Sequence, residues 1–283
     1  MPALIPFIAW LLACKLPAYS TFILDKNQKE FKLYSKILER EGKMQKSFNI
    51  FSLFGSLLPV LIVGNLYSTT LEDVLSKIVW LGQAGIRIMD KKIIYIDPFS
   101  LKGNHPKADI ILITHDHQDH LDKKSIDLIA KENTIVVFPE SIKVDMKSAL
   151  LKPVKVNSTN TIEGYKIVAV PAYNIKKTMF HPKNKGYVGY IIDIDGIKIY
   201  HTGDTERIPE MKNLNVDIIL LPLGQTYTMN SVEEAVEVVK DVKAKVGIPI
   251  HFGLYEGKAM DATNFCKLLE KEKIKCNILE IWR

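Results

Sequence analysis

The sequence predicts an α/β fold in which two packed β-sheets carry helices on their outer sides. Three observations predict it. Short β-branched apolar runs alternate with segments of helical periodicity, and an antiparallel hairpin turns at Asp195-Gly196. The roughly 200 residues at 76–283 are enough for one domain with a full core. An apolar extension, residues 1–75, precedes this domain.

The elements follow from local patterns. Strands are predicted at 77–81, 86–89, 93–96, 109–114, 134–138, 166–171, 187–194, 197–201, 217–221, 246–250 and 277–281. Helices are predicted at 122–131, 231–243 and 261–272. The run 109–114 is β-branched and apolar, which is typical of a buried strand, and helical spacing follows it. Ser231 is a suitable N-cap, because Glu233 and Glu234 lie in the first turn behind it.

The turn between the strand at 109–114 and the next helix is rich in potential metal ligands. It reads Thr-His-Asp-His-Gln-Asp-His and holds three of the seven histidines of the chain. His115 and His117 can aim both imidazoles at one cation, and Asp119 and His120 lie past the bend, where they can face a second. Imidazoles with carboxylates suit zinc, and iron or manganese are alternatives. A merely polar, helix-capping loop would not concentrate histidines in this way.

Two later strands end in further potential ligands. Asp204 lies at the tip of a glycine turn after the strand at 197–201, and His251 ends the strand at 246–250. Each group of potential ligands thus stands at the C-terminal end of a predicted strand. A sheet that presents its loops at one rim would bring these side chains together.

The order of these motifs resembles the metallo-β-lactamase superfamily of metal-dependent hydrolases. The motifs are His-x-His-x-Asp-His, then Tyr-His-Thr-Gly-Asp-Thr at 200–205, then Pro-Ile-His-Phe-Gly at 249–253. The resemblance is to the compact branch that contains L-ascorbate-6-phosphate lactonase and small uncharacterised hydrolases. It runs from Lys77 to the C-terminus and includes 78–85 and 96–99. It implies a four-layer αββα sandwich.

The resemblance also implies a ligand set and a reaction. The ligands are His115 and His117 for a first metal, Asp119, His120 and His251 for a second, and Asp204 as the carboxylate that bridges both. Two zinc ions are expected, with manganese or iron as alternatives. A metal-bridging hydroxide, oriented by Asp119, would then hydrolyse an ester, lactone or phosphodiester bond. The metal centre alone does not select among these bonds.

One position departs from the family pattern. The family places a further first-metal histidine in a Pro-Ala-x-His segment, whereas this chain has Asn174 there. A neutral amide oxygen is a weak ligand for zinc. His181, on the same loop, has three interpretations: it replaces the missing ligand, it contacts the substrate or donates a proton to the leaving group, or it is an exposed loop histidine. The departure also leaves open a catalytically weak metal-binding or assembly module.

Other polar residues near the motifs are expected to play supporting parts. Asp97 is predicted to fix a turn or to hydrogen-bond a metal-binding histidine. His201 is predicted to pack or to orient a ligand, and His105 to lie on the surface. Tyr227 could line the pocket, although a buried core tyrosine fits its sequence context better.

The N-terminal extension contains two apolar segments, 3–24 and 48–67, separated by a basic stretch at 25–46. The second segment is about 20 residues, long enough to span a bilayer, and the positive-inside rule would place both chain ends outside the cytoplasm. Alternatively, a start at Met44 would make the second segment a signal peptide or anchor. Both interpretations put the hydrolase outside, anchored or exported. If instead the segments are buried helices, the protein is cytoplasmic.

Charge and cysteine content limit the classes of partner that are expected. The net charge is +6, with several lysines in the N-terminal stretch, and no basic stripe with interleaved aromatics indicates nucleic acid. A small-molecule or lipid substrate is expected, the latter for a lipid-facing phosphodiesterase similar to N-acylphosphatidylethanolamine phospholipase D. Lysines at 176–177 and 183–185 would favour an anionic substrate, unless they are simply solvated. Cys266 and Cys276 could pair in an exported domain or remain two thiols. The oligomeric state is not specified.

Overall fold

The structure is a computed structural model that describes residues 69–146 and 149–282. These residues belong to one compact unit, Ser68–Arg283. The predicted apolar segments at 3–24 and 48–67 and the start at Met44 lie outside the described residues. Among the helices that are described, none combines the length and the apolar content needed to cross a bilayer.

The first sheet has six strands in the order β1-β2-β3-β4-β5-β6. Their bounds are β1 Ile78–Gly82, β2 Gly85–Met89, β3 Ile93–Ile96, β4 Ile110–Leu112, β5 Ile135–Pro139 and β6 Leu150–Val154. Strands β1 to β3 are antiparallel, and β3 to β6 are parallel. A short helix, α1 (Leu71–Leu75), precedes β1, and α2 (Lys123–Ile129) connects β4 with β5.

The second sheet has seven strands in the order β13-β12-β11-β10-β9-β8-β7. Their bounds are β7 Thr159–Ile162, β8 Tyr165–Pro171, β9 Val188–Ile194, β10 Ile197–His201, β11 Ile218–Pro222, β12 Val246–Ile250 and β13 Lys275–Cys276. Strands β7 to β10 are antiparallel, and β10 to β13 are parallel. Helices α3 (Val232–Asp241) and α4 (Ala259–Lys271) follow β11 and β12.

The main core lies between the two sheets. Ile86 and Ile88 of β2 and Ile192 of β9 are all fully buried in it, because alternate residues of a strand share one face. A second apolar cluster joins α3 and α4 to the outer face of the second sheet. A third joins α2 to the outer face of the first sheet. The predicted four-layer αββα sandwich is therefore confirmed.

The differences from the predicted elements lie at sheet edges. Strands β6 and β7 were not predicted, since edge strands need no apolar alternation; β7 reads Thr-Asn-Thr-Ile and β6 contains Pro153. The strand predicted at 277–281 is wrong. Pairing stops at β13, and the chain then crosses to the other sheet, where Ile281 makes a single bridge to Trp80. Helix α1 packs into the main core, so the fold includes residues before position 76.

The strand directions decide where the site forms. Strands β3, β4, β8, β10, β11 and β12 all end at the same end of the sandwich, and the loops that follow them carry the candidate ligands or residues that support them. The chain enters the fold at the opposite end, where the hydroxyl of Thr69 donates to Asp195 in the turn between β9 and β10 (3.0 Å).

Candidate metal centre

A buried carboxylate, Asp204, lies at the centre of the histidine cluster. It follows Gly203, whose φ of +62° is accessible to glycine, and a Cβ there would come within 2.9 Å of the Val188 carbonyl oxygen. The turn therefore packs closely against β9. Four imidazole Nε2 atoms surround Oδ2 of Asp204: His251 at 3.3 Å, His120 and His181 at 3.4 Å, and His115 at 4.0 Å.

The potential ligands form three overlapping groups whose ligand atoms lie within 4.8 Å of one another. The groups are His115–His117–His181, His115–His120–Asp204 and Asp119–His120–His251. The structure thus brings together every residue that the sequence nominated as a metal ligand. It adds His181 to the group of His115 and His117, for which this chain lacks the further histidine of the family pattern.

The other ring nitrogen of each well-buried histidine faces a protein group. Nδ1 of His120 lies 2.8 Å from Oδ2 of Asp97, and Nδ1 of His115 lies 2.9 Å from the Thr114 hydroxyl oxygen. The Nε2 atoms of His115, His120 and His181 and Oδ1 of Asp204 are buried and, within the part of the chain that the structure describes, have no hydrogen-bond partner. Orphaned buried polar atoms are costly. Divalent cations among them would remove that cost, so the donor set fits a metal centre.

Asp97 supports the cluster as predicted. Its carboxylate accepts hydrogen bonds from the Thr114 amide (2.8 Å) and hydroxyl (2.6 Å) and contacts His120. Because the same hydroxyl oxygen accepts from His115, one carboxylate orients two rings. Asp97 has a φ of 45°, a left-handed conformation that is strained for a residue other than glycine. Such strain concentrates at functional sites.

Glu256 is a supporting carboxylate that the sequence analysis missed. Its side chain is fully buried and lies 2.9 Å from Nδ1 of His251. It accepts hydrogen bonds from the Tyr227 amide (2.7 Å) and from the Thr228 hydroxyl (2.8 Å). It occupies the space that a Cβ on Gly224 would fill, 1.6 Å from that position. Burial alone would raise the pKa of Glu256, but His251 and these donors outweigh it and hold the pKa below its usual value.

Gln83 is a second residue that was missed as part of the site. Its amide nitrogen donates to Oδ2 of Asp119 (2.9 Å) and lies 2.8 Å from Nε2 of His251. The backbone carbonyl oxygen of Gln83 accepts from the backbone N–H of His251 (2.9 Å). Gln83 and His251 have φ values of 49° and 57°, so the two strained residues brace each other. The available signal was a polar residue directly after the apolar strand β1.

His181 is 1 % exposed, so its interpretation as an exposed loop histidine is wrong. Asn174 braces His181. The backbone N–H of Asn174 donates to the backbone carbonyl oxygen of His181 (2.8 Å), and its side-chain nitrogen lies 3.2 Å from Nδ1 of His181. The same nitrogen donates to the Tyr227 carbonyl (2.7 Å). Asn174 itself belongs to none of the groups of ligand atoms among the described residues. Asn174 thus supports a buried histidine of the ligand cluster, whereas the family pattern has a histidine at position 174 itself.

A third missed residue, Glu206, fixes the loop that carries His181. Its buried carboxylate accepts hydrogen bonds from three consecutive backbone N–H groups, at Ile175 and Lys176 (both 2.8 Å) and Lys177 (3.0 Å). Burial opposes the charged form, but these donors and Lys177 lower the pKa of Glu206. Since Glu206 lies two residues after Asp204, the turn of the central carboxylate and the His181 loop are held as one unit.

Three expectations about nearby residues are resolved. His201 orients the turn as predicted, because its Nδ1 accepts from the Gly203 N–H (3.2 Å) and its Nε2 lies 2.9 Å from the Ala84 carbonyl oxygen. The surface position predicted for His105 is wrong; Trp282 covers it, with ring centroids 4.8 Å apart. Tyr227 is half-buried and packs edge-on against Phe180 rather than in the core.

Two of the four lysines beside His181 are committed to protein contacts, whereas Lys176 and Lys185 are exposed. Lys177 donates to the Gln225 (3.2 Å) and Met229 (3.1 Å) carbonyls. Lys183 pairs with Glu210 at 2.9 Å. These two cations hold loops together, which weakens the case for an anionic substrate.

The charges of the cluster create contrasting pKa values. Burial lowers the pKa of His181 to about 4 and places that of His115 well below its usual value. Burial also acts on His120, but Asp204 and Asp97 outweigh it and raise its pKa to about 10. A positive charge is therefore more stable near His120 than near His181.

The described geometry agrees with comparisons to known proteins. Residues 77–251 match the family model of the beta-lactamase superfamily domain. The chain belongs to the metallo-β-lactamase superfamily. A UPF0173 metal-dependent hydrolase from Thermococcus onnurineus is 32% identical to this chain over 207 residues, which are 68% of this chain and 92% of the relative. A second, from Thermoplasma volcanium, is 35% identical over 207 residues, which are 68% of this chain and 90% of the relative.

Solved structures of the superfamily agree. A metal-dependent hydrolase from Parabacteroides distasonis has 34% identity and a TM-score of 0.63, over 72% of this chain and 93% of that one. A metallo hydrolase from Ignicoccus hospitalis, with 24% identity and a TM-score of 0.61 over 73% and 95% of the two chains, shares the fold. The protein is thus a metal-dependent hydrolase of the metallo-β-lactamase superfamily, with a candidate His/Asp metal site.

Proposed function

We propose that this hydrolase uses a dinuclear zinc centre to cleave an ester, lactone or phosphodiester bond. The observation that carries the proposal is the position of Asp204, whose carboxylate lies within 4.0 Å of imidazoles from both ligand groups. A carboxylate shared in this way can hold two cations close together.

Each ligand group would hold one cation. The residues are His115, His117 and His181 for the first, Asp119, His120 and His251 for the second, and Asp204 for both. When bound, two divalent cations polarise the scissile group and lower the pKa of a bound water toward about 7. We assign His181 as a ligand because its Nε2 points at Asp204 and its ring lies 4.8 Å from that of His117.

The remaining residues position these groups. Asp119 is the most accessible carboxylate of the cluster, with 20% of its side chain exposed, so it is placed to orient an attacking water. Gln83 holds Asp119 through a 2.9 Å hydrogen bond. Asp97 and Glu256 fix the rings of His120 and His251, and removal of such outer partners typically weakens metal binding 10- to 100-fold.

Metal content tests the ligand assignment. The full-length protein is loaded with zinc, and metal per chain is measured by elemental analysis. We expect two ions in the parent and one fewer in His181→Ala and in His251→Ala. His105→Ala is the matched control, because this buried histidine packs against Trp282 outside the cluster, and it should keep both ions. Two ions in His181→Ala would free His181 for the substrate, and one or none in the parent would contradict the dinuclear centre.

Activity is tested on the same preparations with p-nitrophenyl acetate, a simple lactone and bis(p-nitrophenyl) phosphate. We expect turnover of at least one substrate that a chelator abolishes and zinc restores. Full metal occupancy without turnover of any of them would favour a metal-binding module instead.

We further propose that the domain lies outside the cytoplasm, attached through segment 3–24 or 48–67. Cys266 of α4 and Cys276 of β13 form a disulfide, with Cα atoms 5.2 Å apart, and disulfides persist in oxidising compartments. Maleimide labelling of denatured protein from rapidly quenched cells tests this. We expect these two cysteines to label only after reduction. Labelling without reductant would favour a cytoplasmic location.

A further inference from the structure

Several strongly exposed apolar side chains lie in the loops that carry the candidate ligands. Met179 is 83% exposed and lies two residues before His181, and Leu254 is 60% exposed and lies three residues after His251. Tyr255, 55% exposed, is the next residue. Single exposed apolar residues are ordinary, but a contiguous group beside a reaction centre indicates a binding surface.

These residues belong to loops that contact one another. Phe180 packs edge-on against Tyr227, with centroids 4.9 Å apart, and Phe99 faces Tyr255 at 6.3 Å. Glu256 joins the two pairs, because it follows Tyr255 directly and accepts from the Tyr227 amide. We call this set the apolar rim; it consists of Phe99, Met179, Phe180, Tyr227, Leu254 and Tyr255. It runs along the loops after β3, β8, β11 and β12, which also carry or support the metal centre.

Two of the nearby cations are already held by protein groups. Lys177 and Lys183 are held by backbone carbonyls and by Glu210, so they help to build the His181 loop. A phosphorylated or otherwise strongly anionic substrate would gain little from them. The contacts that the rim offers are aromatic and aliphatic.

We propose that the substrate carries an acyl chain on its scissile carbonyl and that this chain lies on the apolar rim. The substrate class is then a neutral acyl ester or an alkyl-substituted lactone. The inference rests on the proposed hydrolytic function and names its substrate class. In the reaction, the oxygen of a water bonds to the carbonyl carbon, the bond from that carbon to the alcohol oxygen breaks, and the departing alcohol oxygen takes up a proton from the water.

Chain length is the direct test. Full-length, zinc-loaded protein is assayed with p-nitrophenyl esters from acetate to octanoate, each below its own aggregation concentration and in one fixed detergent. Burial of a methylene group is worth up to about fourfold in an equilibrium constant. We expect kcat/KM to rise about two- to fourfold per methylene until the rim is covered.

Variants locate the effect. Met179→Ser and Leu254→Ser should flatten the rise with chain length, so the ratio of kcat/KM for octanoate to that for acetate should fall several-fold below the ratio of the parent. Leu150→Ser is the matched control: Leu150 is 56% exposed but begins β6, at the end of the sandwich opposite to the metal centre. It should keep the full chain-length dependence. Partition of esters into detergent is the same for all variants, and metal content and melting temperature check that each is folded.

The outcomes separate the inference from the function beneath it. Zinc-dependent acetate hydrolysis with no dependence on chain length would overturn the acyl-chain assignment and leave the hydrolase intact. Faster cleavage of bis(p-nitrophenyl) phosphate than of any ester would overturn it in favour of a phosphodiesterase. If, in a parallel series taken above the aggregation concentration, the rate rises with chain length only there, the rim would be a lipid-surface contact instead. No zinc-dependent cleavage of any substrate would contradict both proposals.

Discussion

The two ligand groups of the metal centre use the same side chain with different support. On one side, the imidazoles of His120 and His251 are backed by carboxylates, Asp97 at 2.8 Å and Glu256 at 2.9 Å. A third carboxylate, Asp119, is itself part of the group. The pKa of His120 is raised to about 10, because Asp204 and Asp97 outweigh the effect of burial.

On the other side, the supporting groups are neutral. Nδ1 of His115 faces the Thr114 hydroxyl at 2.9 Å, and Nδ1 of His181 faces the Asn174 amide at 3.2 Å. Burial dominates there and lowers the pKa of His181 to about 4. The departure from the family motif, Asn174, thus lies in the neutral group.

The difference predicts that the two groups bind their cations with different affinities. A carboxylate behind an imidazole raises its basicity and fixes its ring, which strengthens metal binding. The group of Asp119, His120 and His251 should therefore hold its cation tightly. The group of His115, His117 and His181 should exchange its cation more readily. Asp204 connects them, so it matters to both.

Asp204→Asn should have the largest effect, because it removes the charge shared by both groups. We expect both ions to bind more weakly and kcat/KM to fall by about 10²–10³-fold. Elemental analysis and steady-state kinetics on the full-length protein measure these changes. Asp127→Asn, on the exposed face of α2, is the control and should behave as the parent does. Retention of both ions by Asp204→Asn would show that the two groups are independent.

Supporting residues should differ between the two sides. Glu256→Gln keeps the shape of the side chain but removes the charge behind His251, so zinc affinity should fall about 10- to 100-fold. Asn174→Ala removes a neutral brace from His181 and should cost less affinity. Competition with a chromogenic chelator measures both. Equal losses would break the distinction between charged and neutral support.

The order of metal release offers a sharper test. During chelator titration of the parent protein, we expect two steps, with affinities that differ by at least about tenfold. The first ion to leave should be the one held by His115, His117 and His181. His181→Ala should abolish the first step and preserve the second, whereas His251→Ala should abolish the second. Simultaneous release in the parent would mean that Asp204 couples the ions more strongly than their separate partners distinguish them.

Much of the fold was predictable because its central strands follow simple patterns. Strand β4 is β-branched and buried, and β11 is an unbroken apolar run between loops, so both were found within a residue or two of their ends. Strands β6 and β7 were not, because one side of an edge strand lacks a partner and imposes no apolar alternation. Local pattern identifies strands that the core requires.

The candidate site likewise has a part that the sequence predicts and a part that it does not. Its ligands were predictable, because His115, His117, Asp119 and His120 stand together in the sequence with metal-binding spacing. Glu256, Glu206 and Gln83 were missed, since each acts through a contact that only the folded chain creates. Glu206 meets backbone amides 29–31 residues away. Such carboxylates have no local signature, and distance in three dimensions decides their role.

The smallest expected effect comes from a carboxylate far from the metal centre. Its substitution should change the free energy of unfolding without changing metal binding. Asp90 lies beyond β2, near the entry of the chain into the fold, where it accepts from the Tyr165 hydroxyl (2.6 Å) and pairs with Lys77 (2.8 Å). Burial would raise its pKa, but Lys77 and Tyr165 outweigh burial and lower the pKa below 3.8. Since the folded state holds the proton less tightly than the unfolded chain, this stabilisation is complete above about pH 4 and is lost as the pH falls through the folded pKa.

Asp90→Asn should therefore reduce the free energy of unfolding by about 1–2 kcal/mol at pH 7. The difference from the parent should shrink toward pH 3 and below, as the pH falls through the folded pKa and the parent carboxylate takes up a proton. Urea unfolding of chelator-treated protein at both pH values measures this without interference from metal release. Zinc affinity at pH 7 should be unchanged, in contrast to Glu256→Gln. A loss of zinc affinity in Asp90→Asn would show that metal binding responds to general loosening of the sandwich, and the contrast between the two ligand groups would then need a cause other than the charge of their supporting residues.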